Sequence, residues 1–271
     1  MEIKFNAFES VPRLTLLATF AALIALVLWL TGISLAVVSF NHSNAAPYSC
    51  CNHVISELGF PFASPLTWLF NGTLAIAGLM LLPISYALGA HLRTRLGYVA
   101  AGFGILTCLA ISGIGMLGLK QDFLHSSYVF MSFLKIHLAV ADVFFLGWFL
   151  TVTLFTINFC RRWSDSVSRL MAFAGFINWP FYPALFAVAI YANPMQTPLL
   201  KDLKDPALRA MFFIPTSSPI LSPWLDSHRP HIWWPAALEW GLAWSVLLWH
   251  GIALIFLWKK TKGAAKHSAT L

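Results

Sequence analysis

Apolar residues fall into six long runs, near residues 14 to 40, 66 to 89, 97 to 118, 130 to 158, 170 to 192 and 233 to 258. Each is long enough to cross about 30 Å of hydrocarbon as a helix rising about 1.5 Å per residue. The polar positions collect in short turns and in two longer loops, 41 to 65 and 193 to 232. This pattern predicts an all-α fold, a polytopic transmembrane bundle of six helices. One integral membrane domain spans residues 1 to 271, because no polar block is left for a separate globular core. The first run follows Lys4 and Arg13 and outlasts the roughly 7 to 15 apolar residues of a signal-peptide core, so it reads as a retained anchor.

Positive charge sets the orientation, since Lys and Arg at helix ends are held on the cytoplasmic side. Arg93 and Arg95 separate runs two and three, and Arg161, Arg162 and Arg169 separate runs four and five. Lys259, Lys260, Lys262 and Lys266 close the chain. The alternate connections are poorer: loop 41 to 65 has no Lys or Arg, and the next outer connection has only Lys120. In the long last loop Lys201, Lys204, Arg209 and Arg229 are widely spread, where charge counts for less. Both termini are therefore expected in the cytoplasm and the chain in the cell membrane. Trp224, Trp233 and Trp234 are placed at headgroup depth, and a short helix is expected at "DLKDPALRAMFF".

Composition agrees with that reading. Of 271 residues 59% are hydrophobic and 10% charged, and the mean hydropathy is +0.74. The net charge of +7 sits in short tracts beside apolar runs rather than in an aromatic-interleaved stripe, so membrane lipids, not nucleic acid, are the expected partners. Gly113, Gly115 and Gly118 in the third run permit close helix contact, within this chain or with another subunit.

Depth counting puts most intramembrane polar residues on the outer side. Asp142 and His137 lie in the outer part of the fourth helix, Glu239 near the outer edge of the sixth, and Asn71 at a similar level in the second. Ser56, Glu57 and His53 precede the second helix on that side, and Asp122 and His125 precede the fourth. A carboxylate facing hydrocarbon costs roughly 2.5 to 3.5 kcal/mol, so Asp142 and Glu239 are expected to face the bundle interior or a wet cavity with partners, Lys135 being a candidate for Asp142 unless it snorkels to the outer surface. Pro180 and Pro183 should kink the fifth helix near Asn178.

Loop 41 to 65 contains "PYSCCNHVISELGFPFASP". Cys50 and Cys51 are adjacent, a spacing that a normal trans peptide bridges badly, so unpaired cysteines are favoured over a redox pair. The stretch reads as a cap, with Ser56 and Glu57 serving helix ends or a ligand. His53, His125 and His137 are the metal-ligand candidates, but they lack H-E-x-x-H or any other helical ligand spacing. His91 and His250 occur singly, and packing roles are favoured over a haem pair. The sequence assigns no cofactor.

"ISELG" at 55 to 59, Pro61, "LFNGTLAIAGLML" at 69 to 81, "HLAVADVFFLG" at 137 to 147 and "LEWGLAWSVLLW" at 238 to 249 resemble the bacterial and archaeal membrane family called domain of unknown function nine-nine-eight. That family is similar to eukaryotic multi-pass proteins implicated in autophagy modulation and lipid-anchor remodelling. The resemblance covers the first four helices and the sixth. It implies a six-helix bundle with an outer polar site and supplies no reaction.

The expectation is a lipid-handling protein whose outward polar pocket, drawn from Ser56, Glu57, Asn71, Asp122, His125, His137, Asp142 and Glu239, receives a headgroup. A metal-dependent membrane-embedded lipid hydrolase or transferase is the alternative, and a structural or partner-binding subunit the third.

Overall fold

The computed structural model describes residues 7–40, 48–51, 53–59, 65–119, 127–163, 165–191, 232 and 234–268. Its elements are α1 (Ala7–Val38), a 3-10 helix (Ile55–Gly59), α2 (Thr67–Leu92), α3 (Arg95–Leu119), α4 (Ser127–Cys160), α5 (Ser166–Asn178), α6 (Phe181–Tyr191) and α7 (Trp234–Ser268). The described residues contain no strand. Five helices, α1 to α4 and α7, are long and apolar enough to cross a membrane. The chain is thus built as a multi-pass membrane protein.

The fifth predicted span differs from the rest. It is divided between α5 and α6, with Trp179 and Pro180 in a turn between them. Pro180 has no N–H to continue the ladder, so α5 ends at Asn178 and Trp179 N–H bonds back only to Phe176 O at 3.3 Å. Pro183 then falls in the first turn of α6, where a missing N–H costs nothing. The helical hydrogen-bond ladder is thus interrupted where the kink is expected, although Trp179 keeps a right-handed helical backbone.

Sequential helices pack side by side, α1 on α2, α2 on α3, α3 on α4 and α4 on α5. The last helix closes the arrangement by packing against α1 on one side and α5 and α6 on the other. Trp29, Phe70, Trp148, Phe155, Phe159, Trp249 and Phe256 fill the interior. The outward faces are apolar too, with Leu17 and Phe20 60% and 56% exposed. In water so much exposed hydrocarbon would be unfavourable, and in a bilayer it meets acyl chains.

Small residues set the tightest seam. A Cβ on Gly78 of α2 would lie 2.7 Å from Cys108 O of α3, and one on Gly115 of α3 would overlap Asn71 O and Ala75 N of α2. Two of the glycines singled out in α3 therefore serve a neighbour in the same chain, because Gly118 likewise abuts the Asn71 side chain. Gly113 faces Val140 of α4 instead.

Exposed Trp68 and Trp234 mark the end of the bundle where α2 and α7 begin, and exposed Trp163 and Trp258 mark the opposite end. Trp234 and Trp258 lie on one helix, separated by about 36 Å at 1.5 Å per residue. That spacing suits two rings at the two headgroup levels. Trp224, Trp233 and the short helix expected at "DLKDPALRAMFF" lie outside the described residues.

Candidate functional site: a buried polar cap

At the end where α1 stops and α2 and α7 start, the 3-10 helix packs on those three elements. Its sequence, "ISELG", has backbone donors at its start that a short helix cannot satisfy internally. Glu239 of α7 supplies the acceptor: its carboxylate takes the backbone N–H groups of Ile55 and Ser56. Glu57, 0% exposed, turns back to accept from Val54 N at 3.4 Å. Asn71 of α2 completes the cap from the other end by donating Nδ2–H to Gly59 O at 2.9 Å.

The residues before the 3-10 helix form an aromatic floor. Tyr48 Oη donates to Val54 O at 3.0 Å. His53, almost fully buried, stacks on the Tyr48 ring with centroids 5.0 Å apart and accepts Ser49 N–H at Nδ1, 3.2 Å away. Phe40, just past α1, meets both rings edge-on. From α7, Trp240 Nε1 reaches His53 O at 3.0 Å and Tyr48 Oη at 3.2 Å. The Tyr48 hydroxyl is pushed far above its ordinary range by burial first and then by the nearby Glu57 and Glu239 carboxylates, outweighing the Trp240 N–H. Tyr48 therefore stays a neutral donor.

Ser56, Glu57, Asn71 and Glu239 are thus gathered in one place from three elements. His137 is half-buried on α4, a helix that packs chiefly on α3 and α5 rather than on the cap. Asp142 departs from expectation. It is exposed on the surface of α4. Asp122 and His125 lie outside the described residues, as does the Lys135 side chain. Among the described residues no three His, Cys, Asp or Glu side chains converge as a metal site.

Cys50 and Cys51 are free and exposed. Partial burial pushes the Cys50 thiol up, and the neighbouring Cys51 adds to the rise against an opposing backbone hydrogen bond. A thiol shifted in that direction is a poorer nucleophile at neutral pH.

A second polar centre lies deeper and is structural. Asn178, at the end of α5, accepts from Trp148 Nε1 at 2.9 Å and from Ser245 Oγ at 2.8 Å, and donates to Ala174 O and Ser245 O. All its hydrogen-bonding atoms are used, so it ties α4, α5 and α7 together beside the helix break. His250 stacks on Trp148 with centroids 5.0 Å apart, and its Nδ1 lies 3.0 Å from Val246 O. His91 Nε2 lies 2.9 Å from Thr15 Oγ1 at the basic end.

Sequence reasoning did not single out Tyr48, Phe40 or Trp240 as cap residues. Trp240 follows Glu239 directly and Tyr48 opens the quoted cap stretch, so their proximity to polar positions was the available signal. Comparison with protein-family models, curated proteins and solved structures finds no match to this chain.

Proposed function

We propose that this chain is a six-span protein of the cell membrane, with α5 and α6 together forming the fifth span and both termini cytoplasmic. In this reading it binds a lipid or lipid-linked molecule through the polar cap. The resemblance to the nine-nine-eight family belongs to the same proposal.

The observation that carries the reading is Glu239, a carboxylate on the last span, meeting the 3-10 helix that bears buried Glu57. Ionisable groups at membrane depth mark ligand paths by default. Two carboxylates above a floor of Tyr48, His53 and Trp240 suit a headgroup carrying an ammonium, which gains from both negative charge and aromatic faces. The flanking apolar helix faces supply the contacts for acyl chains.

A second reading makes the cap a strut, and it is favoured by the observation that Asn71, Trp240 and Glu239 each spend hydrogen bonds on the cap's own backbone. Glu239→Gln separates the two, because the amide retains an acceptor oxygen but loses the charge. Lipid handling predicts well-folded protein that purifies without its amine-headgroup lipid, as read by mass spectrometry of extracted lipid. A strut predicts an unchanged lipid complement in whatever protein folds.

A further inference from the structure

At the end of the bundle opposite the cap, a groove of about 300 Å³ runs between α4 and α5, lined by Thr156, Ile157, Cys160, Arg161, Phe176 and Trp179. This is the small end of the volume range of ligand pockets. We propose that it seats one acyl chain of an anionic phospholipid whose phosphate is held by Arg161.

The walls are apolar, with Phe176 and Trp179 edge-to-face at 4.9 Å. Ile157, Phe176 and Trp179 are partly exposed on the outside of the bundle, where a membrane protein meets acyl chains. Any lipid could lie along such a wall, so selectivity has to come from the polar groups. Arg161 is the only charged residue of the lining, and it is exposed. It follows the last residue of α4, near headgroup depth, beside exposed Trp163.

The neighbouring charges are already committed. Arg162 donates to the carbonyls of His91 and Leu92 at the end of α2. Asp165, the nearest acid in sequence, caps α5 by accepting from Val167 N, Ser168 N and Ser168 Oγ. Among the described residues the Arg161 guanidinium has no recorded partner, which leaves it for an external anion. A guanidinium and a phosphate form strong charge-assisted hydrogen bonds. Thr156, 1% exposed, turns its hydroxyl onto Gly175 of α5 and closes the floor of the groove, leaving Arg161 as the polar group that an occupant meets.

The inference rests on the chain crossing a bilayer and is independent of the cap, which is built from other helices. Cys160 on the lining is a built-in reporter. Full-length protein with Cys50→Ser and Cys51→Ser, which leaves buried Cys108 as the other thiol, is placed in nanodiscs of phosphatidylcholine alone or mixed with phosphatidylglycerol. Maleimide labelling of Cys160 should slow several-fold with phosphatidylglycerol, and Arg161→Gln should remove the slowing. Phosphatidylglycerol retained in native mass spectrometry should be roughly tenfold weaker in Arg161→Gln, while Gly102→Ala, facing open space on α3, leaves it unchanged. Should Cys160 resist labelling in every disc, that retention decides by the same criterion. Measurable but equal labelling in both discs, equal retention in Arg161→Gln, or equal protection by inorganic phosphate in phosphatidylcholine discs would overturn the proposal.

Discussion

Trp240 Nε1 lies 3.2 Å from Tyr48 Oη, a hydrogen bond joining residues 192 positions apart. Through it the last span grips the segment leading into the 3-10 helix, and the same N–H reaches His53 O. Trp240→Phe preserves most of the ring and deletes the donor. Leaving buried acceptors unsatisfied costs about 1–3 kcal/mol. The expected outcome is a lower unfolding temperature in detergent. An unchanged unfolding temperature would mean that the rings alone hold the segment.

Asn178 is the corresponding anchor at the helix break. Asn178→Leu keeps similar bulk but strands the Trp148 indole N–H, so destabilisation of about 1–3 kcal/mol is expected. Ser245 retains its bond to Leu242 O, so Ser245→Ala should be the milder change. Thermal unfolding of the two variants in one detergent tests the ranking.

Close packing of α2 on α3 makes Gly115 intolerant. Gly115→Val places side-chain atoms on Asn71 O and Ala75 N, which are backbone and cannot rotate away. Overpacking of this kind costs about 1–3 kcal/mol or more. Gly102 faces open space, so Gly102→Ala should be neutral or slightly stabilising, since Ala is the better helix former. Yield of monodisperse protein is the first readout.

Asp165 gives the fold a pH dependence at its basic end. Burial, the largest single influence, raises its carboxyl, but hydrogen bonds from Ser168 and Val167 and the charge of Lys260 together outweigh it and hold it below the usual carboxylate range. With the folded value depressed, the cap's contribution is complete above the ordinary carboxylate range and is lost as the pH falls through the folded value. Asp165→Ala should cost about 1 kcal/mol at neutral pH. Asp165→Asn should keep much of the cap and flatten the acid limb of a stability profile.

Much of the architecture was legible because a spanning helix must be long, apolar and bounded by charge. The break at Pro180 was legible for a different reason, the missing proline N–H. Helix ends were less so: α7 continues past the apolar run into its basic tail, as far as Ser268, because lysines are good helix formers and nothing there stops the helix. Glu57, Asn71 and Glu239 could be grouped by depth alone. Their actual joining could not, because it runs through backbone groups, the N–H of Ile55 and Ser56 to Glu239, the N–H of Val54 to Glu57 and the carbonyl of Gly59 to Asn71, which leave no mark in the residue pattern. Asp142 lies exposed on α4 rather than in the bundle interior, because an acid's cost in hydrocarbon constrains its surroundings but not which face of a helix carries it.

The proposed lipid role requires Glu57 and Glu239 to hold a cationic headgroup at the cap. Native mass spectrometry of the full chain, loaded from equal mixtures of phosphatidylethanolamine and phosphatidylglycerol, tests it most directly when the Glu57→Gln/Glu239→Gln double variant is compared with the parent. Retained phosphatidylethanolamine should fall at least roughly tenfold in the variant while its unfolding temperature stays close to the parent's. Equal phosphatidylethanolamine retention in both proteins, with the variant fully folded, would contradict the account.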